Sequence, residues 1–400
     1  MSKKRIGILT GGGDVPPLNA VIYSAREEAE KNNIELVGFL KGWDGILEKN
    51  CIVLNHVNIN PGIGGTILKS SRVNIAKIEN GPEKVLKNLN DLNISGLIVI
   101  GGEDTLSNSL YIKNFPQVLI SKTIDNDVGI LKENSAGSLD IVNYFTLGYP
   151  SAAENISNFV SLSEGLRTTA YSHERIIIVE SMGMHAGWLA LSSSAGYPDF
   201  IIIPEFPVDY NLLKDKIAGR YLKVKNVIVV IAEGARWING NYISADAGDK
   251  DSFGHPKFKG AAELLAKMLK EDLKKYFDTR NVNAVNPSYL YRSGRPNDLD
   301  LNTAKLLGKN AVNLFIAGLD KCVFESVQFK EGSVYADNYE FSGLNNIEEF
   351  HRFVINKFYD AGNFTATEEA VKYLSIIVPA LNKDNYGLSD NNINFDRMDR

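Results

Sequence analysis

Cysteine is nearly absent: Cys51 and Cys322 are the only two in 400 residues. Two thiols cannot build a disulfide framework, and this pair has no metal-ligand spacing, so a reducing compartment and small apolar packing roles are expected. The five histidines, His56, His173, His185, His255 and His351, include no i,i+4 pair, which argues against a helical zinc motif. An excess of positive charge is also missing: 43 Lys and Arg face 48 Asp and Glu, a net charge of −5. No global field therefore recruits nucleic acid or an anionic membrane, and any anion must be held locally. Long apolar runs are lacking too. The longest, Val227–Ala232, falls far short of a membrane span. The opening MSKKR followed by only IGIL offers no secretory apolar segment, so a cytoplasmic location is expected. Internal repeats and low-complexity tracts are absent, and Trp43, Trp188 and Trp237 are scattered as packing residues would be.

What is present is an ordinary globular composition in a chain too long for one core, so two lobes with appendages are expected. Short β-branched runs recur: RIGILT, IELVGFL, ISGLIVIGG, QVLIS, RIIIVES, FIIIPE and NVIVVIAEG. Apolar residues at consecutive positions mean strands buried on both faces, hence an α/β fold with mostly parallel sheets covered by helices. Helical patterns fall at 18–31, 82–92, 142–166, 210–223 and 261–276. A lobe boundary is expected near 129–138, and a further polar break at 244–260. Beyond about Ser342 the chain reads as an appended helical extension, with patterns near 347–359 and 367–374 and a polar tail. Ligands of such sheets bind beyond strand carboxyl ends, which singles out loops 10–19, 101–109 and 121–128.

Each loop carries suitable chemistry. Gly11-Gly12-Gly13-Asp14 joins a strand to a helix, where glycine permits close backbone approach and the helix start favours phosphate. The loop is neither a Walker A sequence nor a dinucleotide fingerprint, and by itself it equally describes a tight turn. Glu103 and Asp104 offer adjacent hard oxygen ligands suited to Mg²⁺ beside phosphate, although Asp104 could equally cap the next helix. Lys122, Asp125, Asn126 and Asp127 combine a phosphate-seeking point charge with carboxylates able to act as a general base; the bland reading is a solvated turn. Three such loops on one sheet edge weigh against the bland reading of each.

Gly-Gly-Gly-Asp with Leu-Asn at 11–19, GGTILKSSR at 64–72, GGEDT at 101–105, KTIDND at 122–127, SMGMHAGW at 181–188, AEG at 232–234 and NPSYLYRSG at 286–294 occur in this order. Together they resemble the phosphofructokinase family across residues 4–320. The resemblance implies two Rossmann-like lobes with the active site in their cleft. Residues 1–138, completed by roughly 291–342, would bind the donor, 139–290 the sugar phosphate, and 343–400 would form the C-terminal extension. It further implies Asp125 as the base for the sugar 1-hydroxyl, Asp127 as its neighbouring carboxylate and Thr123 as a positioner of the phosphoryl group. Gly12 and Arg72 match donor contacts, and Glu103 matches the Mg²⁺-binding acid. Arg175, Met182, Gly183, Glu233, Tyr289 and Arg292 match sugar-phosphate contacts, Arg175 reaching in from a neighbouring subunit of a homodimer or homotetramer.

Asp104 and Lys122 resemble the pyrophosphate-dependent type of the family. ATP-using relatives typically carry glycine at the place of Asp104, where a carboxylate would crowd and repel an α-phosphate. The implied reaction is reversible phosphoryl transfer from pyrophosphate to fructose 6-phosphate with Mg²⁺. The alternatives are ATP as donor, a different sugar acceptor, and a catalytically weak regulatory homologue. Departures from the family pattern are Pro17 and Lys69 in place of glycines, Met184 in place of an arginine, Asn283 in place of a base, and a longer link between Asp127 and Thr146.

Overall fold

Each buried run of the sequence becomes a strand in the computed structural model, which describes residues 3–161, 165–250, 256–340 and 350–378. The chain separates into two compact units. The first takes the described residues of Met1–Ser151 and Arg292–Arg352; the second takes those of Ala152–Asp251, His255–Tyr291 and Phe353–Arg400.

The first unit is built on β1 (Arg5–Thr10), β2 (Glu35–Phe39), β3 (Cys51–Val53), β4 (Ile94–Gly101) and β5 (Gln117–Thr123). It adds a hairpin of β6 (Ile130–Glu133) and β7 (Leu139–Val142), and a short β8 (Leu147–Gly148) beside β5. The second unit holds β9 (Ile176–Ser181), β10 (Phe200–Ile202), β11 (Val227–Ala232), the hairpin β12 (Ala245–Lys250) with β13 (Pro256–Lys259), and β14 (Val282–Val285). The chain then returns to the first sheet with β15 (Cys322–Lys330) and β16 (Ser333–Glu340). The first sheet runs β16-β15-β5-β4-β1-β2-β3, antiparallel only at its two ends, β15 with β16 and β2 with β3. The second, β10-β11-β9-β14, is wholly parallel. In β1, β9 and β11 almost every residue is buried, as strands covered on both faces require. The protein is thus α/β. Among the described residues no helix is long and apolar enough to cross a membrane.

Two helical expectations resolve differently. The 142–166 pattern splits into β8, a helix at Tyr149–Val160 and another beginning at Leu166. Asn143 and Gly148 have positive φ (70° and 94°), which no helix accommodates, and Pro150 sits at the helix start, where its missing N–H costs nothing. The pattern near 347–359 gives extended chain and a single 3₁₀ turn at Asn356–Phe358, its first residues lying outside those described.

The described residues after 349 are shared between the units. Phe350 is fully buried in the first, its ring 4.6 Å from that of Phe324. In the second, Trp188, Phe358 and Tyr373 form one aromatic cluster with ring centroids 5.3–5.8 Å apart. The Glu205 carboxylate accepts the N–H of Gly187 (3.0 and 3.1 Å) and that of Val354 (2.9 Å), fastening the C-terminal segment to the loop before the Trp188 helix. Burial pushes the Glu205 carboxyl up to about 7, opposed by these N–H bonds. Because Trp188 is fully buried, Trp188→Ala should destabilise the second unit by about 3–5 kcal/mol, read as a lower denaturant midpoint.

Candidate functional site

β1, β4 and β5 lie side by side in parallel register, with Leu9 opposite Val99 and Val99 opposite Leu119. Their carboxyl ends therefore release the three loops at one edge. In the first loop Gly12 adopts φ 76°, which a side chain would strain, and a Cβ on Gly13 would lie 2.7 Å from the Arg292 guanidinium. The loop is tied down by the Ser70 hydroxyl, which donates to the Gly12 carbonyl, and by the Gly12 N–H, which donates to Ser71 O at 3.2 Å. Asn19, on the helix Leu18–Lys31, donates to Ile63 O (3.0 Å) and accepts from Ile67 N–H (2.9 Å), fixing the 63–67 segment against that helix.

Lys122 is 3% exposed and its ammonium donates to the Gly13 carbonyl. Burial pushes it down from 10.5 to about 7; Arg292 and Arg72 add to the effect, while Asp14 and Asp125 oppose it. Arg292 also lies 3.5 Å from the Asp14 carboxylate. A lysine and two arginines thus lie within electrostatic reach of one another beside the glycine loop, together with Asp14 and Asp125, in a chain whose net charge is −5.

The second loop opens the helix Glu103–Leu110, whose N-cap is Gly102. Asp104 is therefore a first-turn residue, not the cap, and with Glu103 it complements the positive end of the helix. The Glu103 carboxylate accepts from His351 Nε2 at 2.6 Å. Burial pushes the Asp127 carboxyl above its ordinary range; Glu103 adds to this, while His351 and Arg352 counter it.

In the third loop the Asp125 N–H donates to Thr123 Oγ1 at 3.1 Å, while the Thr146 hydroxyl donates to Thr123 O at 2.6 Å. Asn126 is fully buried with φ 57°, a left-handed position that asparagine tolerates better than most residues. Its Oδ1 accepts from Thr146 N–H and from the Arg352 guanidinium. His351 and Arg352 were not among the residues expected from sequence, since nothing in the local pattern ties 351 and 352 to loops more than two hundred positions earlier.

The expected sugar-phosphate residues divide. Arg292 lies in the first unit, against Gly13 and Asp14. Arg175, Met182, Gly183, Glu233 and Tyr289 belong to the second. There the Gly183 N–H faces the Glu233 carboxylate at 3.3 Å, Arg175 donates to Thr169 Oγ1 at 2.9 Å, and Tyr289 is 64% exposed. Asn283 turns to the Asn281 carbonyl at 3.0 Å, and Arg280 is paired with Asp278.

Among the described residues no three His, Cys, Asp or Glu side chains form a metal-holding cluster. Mg²⁺ needs none, since it takes one or two carboxylates together with phosphate oxygens and water. Glu103, whose charge and that of Asp127 oppose each other, fits that role.

The family model described as Phosphofructokinase matches residues 5–315. A pyrophosphate–fructose 6-phosphate 1-phosphotransferase of Dictyoglomus thermophilum is 40% identical over 324 residues, spanning 80% of this chain and 88% of that protein. An ATP-dependent 6-phosphofructokinase 3 of Streptomyces coelicolor is 37% identical over 316 residues, spanning 77% and 86%. The solved pyrophosphate-dependent phosphofructokinase of Marinobacter aquaeolei superposes with a TM-score of 0.77 at 18% identity, covering 94% of this chain and 91% of that one.

Lys122 has a folded pKa below its unfolded value, so its burial penalty is complete below pH 7 and fades as pH rises towards 10.5. Lys122→Met should therefore be more stable than the unliganded wild type at pH 6, with the advantage shrinking by pH 9.5. Denaturant midpoints across that range check the trend.

Proposed function

The chain belongs to the phosphofructokinase family, and from that premise we propose that it reversibly transfers a phosphoryl group from pyrophosphate to the 1-hydroxyl of fructose 6-phosphate. The observation that carries the choice of donor is Asp104 in the first turn of the helix after β4, with the buried Lys122 in the adjacent strand. A short, highly anionic donor suits the lysine and two arginines beside the glycine loop, whereas a third phosphate running past Asp104 would meet a carboxylate.

Asp125 takes the proton from the 1-hydroxyl as that oxygen bonds to the phosphorus in line, and the bridging P–O bond of pyrophosphate breaks to release orthophosphate. Thr123 positions the phosphoryl group, and Asp127 stands beside the base. Gly12, Arg72 and Lys122 hold the donor, the lysine carrying its proton once the anion is bound. Glu103 holds Mg²⁺, which when bound neutralises charge on the donor oxygens. Arg175, Met182, Gly183, Glu233 and Tyr289 receive the sugar phosphate, and Arg292, over the glycine loop, supplies charge towards the transferred group. Residues 1–138 with 291–342 form the donor lobe and 139–290 the acceptor lobe of a cytoplasmic homo-oligomer in which Arg175 serves a neighbouring subunit. Transfer of this kind is catalysed by positioning and electrostatics rather than covalent chemistry.

The second reading is ATP as donor, favoured by the similar identity of relatives named for ATP, 37% in Streptomyces coelicolor and 34% in Mycobacterium tuberculosis. A parallel assay decides between them. Pyrophosphate should support turnover with fructose 6-phosphate and ATP hardly any, and Asp104→Gly should raise ATP use; a wild type that prefers ATP overturns the donor assignment. Asp125→Asn should keep the fold and lower kcat by roughly 10²–10⁴-fold, since an amide cannot accept the hydroxyl proton. Near-normal turnover would remove Asp125 from that role.

A further inference from the structure

Phe350–Arg352 lies beyond the family match at 5–315, yet it is woven into the loop that carries Asp125. Phe350 is anchored in the core against Phe324 and Tyr339, and its carbonyl accepts Gly129 N–H at 2.9 Å. Val128 and His351 form an antiparallel bridge, and Arg352 N–H donates to Asp127 O at 2.7 Å. Three residues of one segment thereby pair with three consecutive residues at the end of the loop. The Arg352 side chain then enters the loop from behind. Fully buried, it donates through Nε to Asn126 O (3.0 Å) and through Nη1 to Tyr144 O (2.8 Å) and Asn143 O. Nη2 donates to Asn126 Oδ1.

This is an uncommon use of a buried guanidinium. The bonds described go to carbonyl and amide oxygens, and two of the residues it grips, Asn126 and Asn143, hold left-handed backbone (φ 57° and 70°). On the other side of the same segment, His351 Nε2 holds the Glu103 carboxylate at 2.6 Å. One short segment thus reaches both the base loop and the first-turn acid.

We propose that Phe350–Arg352 braces the phosphoryl-transfer site, with Arg352 a positioning residue for Asp125 and His351 a positioning residue for Glu103. The proposal rests on the roles given above to Asp125 and Glu103. It follows from the contacts because a base displaced by about 1 Å can cost on the order of 10²-fold in rate, and losing the partner that orients a metal-binding carboxylate costs on the order of 10–100-fold in affinity.

The test uses the full chain with Arg352→Met, Arg352→Lys and His351→Phe. Arg352→Met should lower kcat at least 30-fold while KM for fructose 6-phosphate and for the donor each change less than about threefold. Arg352→Lys should recover part of the loss, because an ammonium can reach some of the same oxygens. Amide hydrogen exchange without substrates should quicken at 123–129 in Arg352→Met and stay unchanged in β1. His351→Phe should weaken Mn²⁺ binding, followed by electron paramagnetic resonance, by about tenfold. A folded Arg352→Met with kcat within twofold of wild type, or with exchange raised equally throughout the unit, overturns the role of Arg352. Unchanged Mn²⁺ affinity in His351→Phe overturns that of His351. Should Arg352→Met fail to fold, Arg352→Lys carries the same comparison, and wild-type kcat with undisturbed exchange there counts against the brace. A wild type inactive with every donor and acceptor would remove the functional reading, while the exchange and Mn²⁺ results would still decide the brace.

Discussion

Three neighbouring parallel strands, β1, β4 and β5, end at the same edge of one sheet, and the chemistry of the first unit depends on that registry. Parallel pairing fixes direction as well as neighbourhood, so loops 10–19, 101–109 and 121–128 emerge together although about a hundred residues separate the first from the last. Glycines let the first loop come close, the second opens a helix with two acids, and the third turns through a left-handed asparagine. Each is unremarkable in isolation.

The same sheet edge gathers positive charge in a chain that is acidic as a whole. Lys122 points into a volume already occupied by the fields of Arg292 and Arg72 and is dehydrated by its surroundings. Water would have shared these charges among many counterions. Asp14 and Asp125 counter these charges at the lysine in part. Near Glu103 two carboxylates, its own and that of Asp127, lie beside His351 and Arg352.

Much of this was legible in the sequence, because burial on both faces leaves a signature in the strands. RIGILT, QVLIS and NVIVVIAEG carry it, and the helix at Leu18–Lys31 occupies the span its pattern marks. The convergence of the three loops was legible for the same reason, since each directly follows such a strand. What stayed hidden depends on contacts distant in the chain. A continuous helical pattern over 142–166 does not reveal that Asn143 must serve Ser121 and Val128 through its amide, which turns the backbone away from helix. Arg292 lies nine residues after Asn283, which stands where a basic residue was expected, yet it packs against Gly13 and Asp14, and only the return of the chain to the first unit puts it there. His351 and Arg352 are likewise polar residues whose partners are settled by topology.

The grip of Arg352 on Asn126, Asn143 and Tyr144 has a consequence for biosynthesis. β15 and β16 complete the first sheet only after residue 340, and the guanidinium that holds the 123–129 loop follows later still. A ribosome releases the second unit's sheet strands before it releases the closing pieces of the first. The first unit must wait, its early strands formed but its β5 edge open, until β15 and β16 have emerged. Until Phe350–Arg352 has emerged, the growing chain has no secured loop at 123–129, and quality control acting on it would meet an exposed β5 edge.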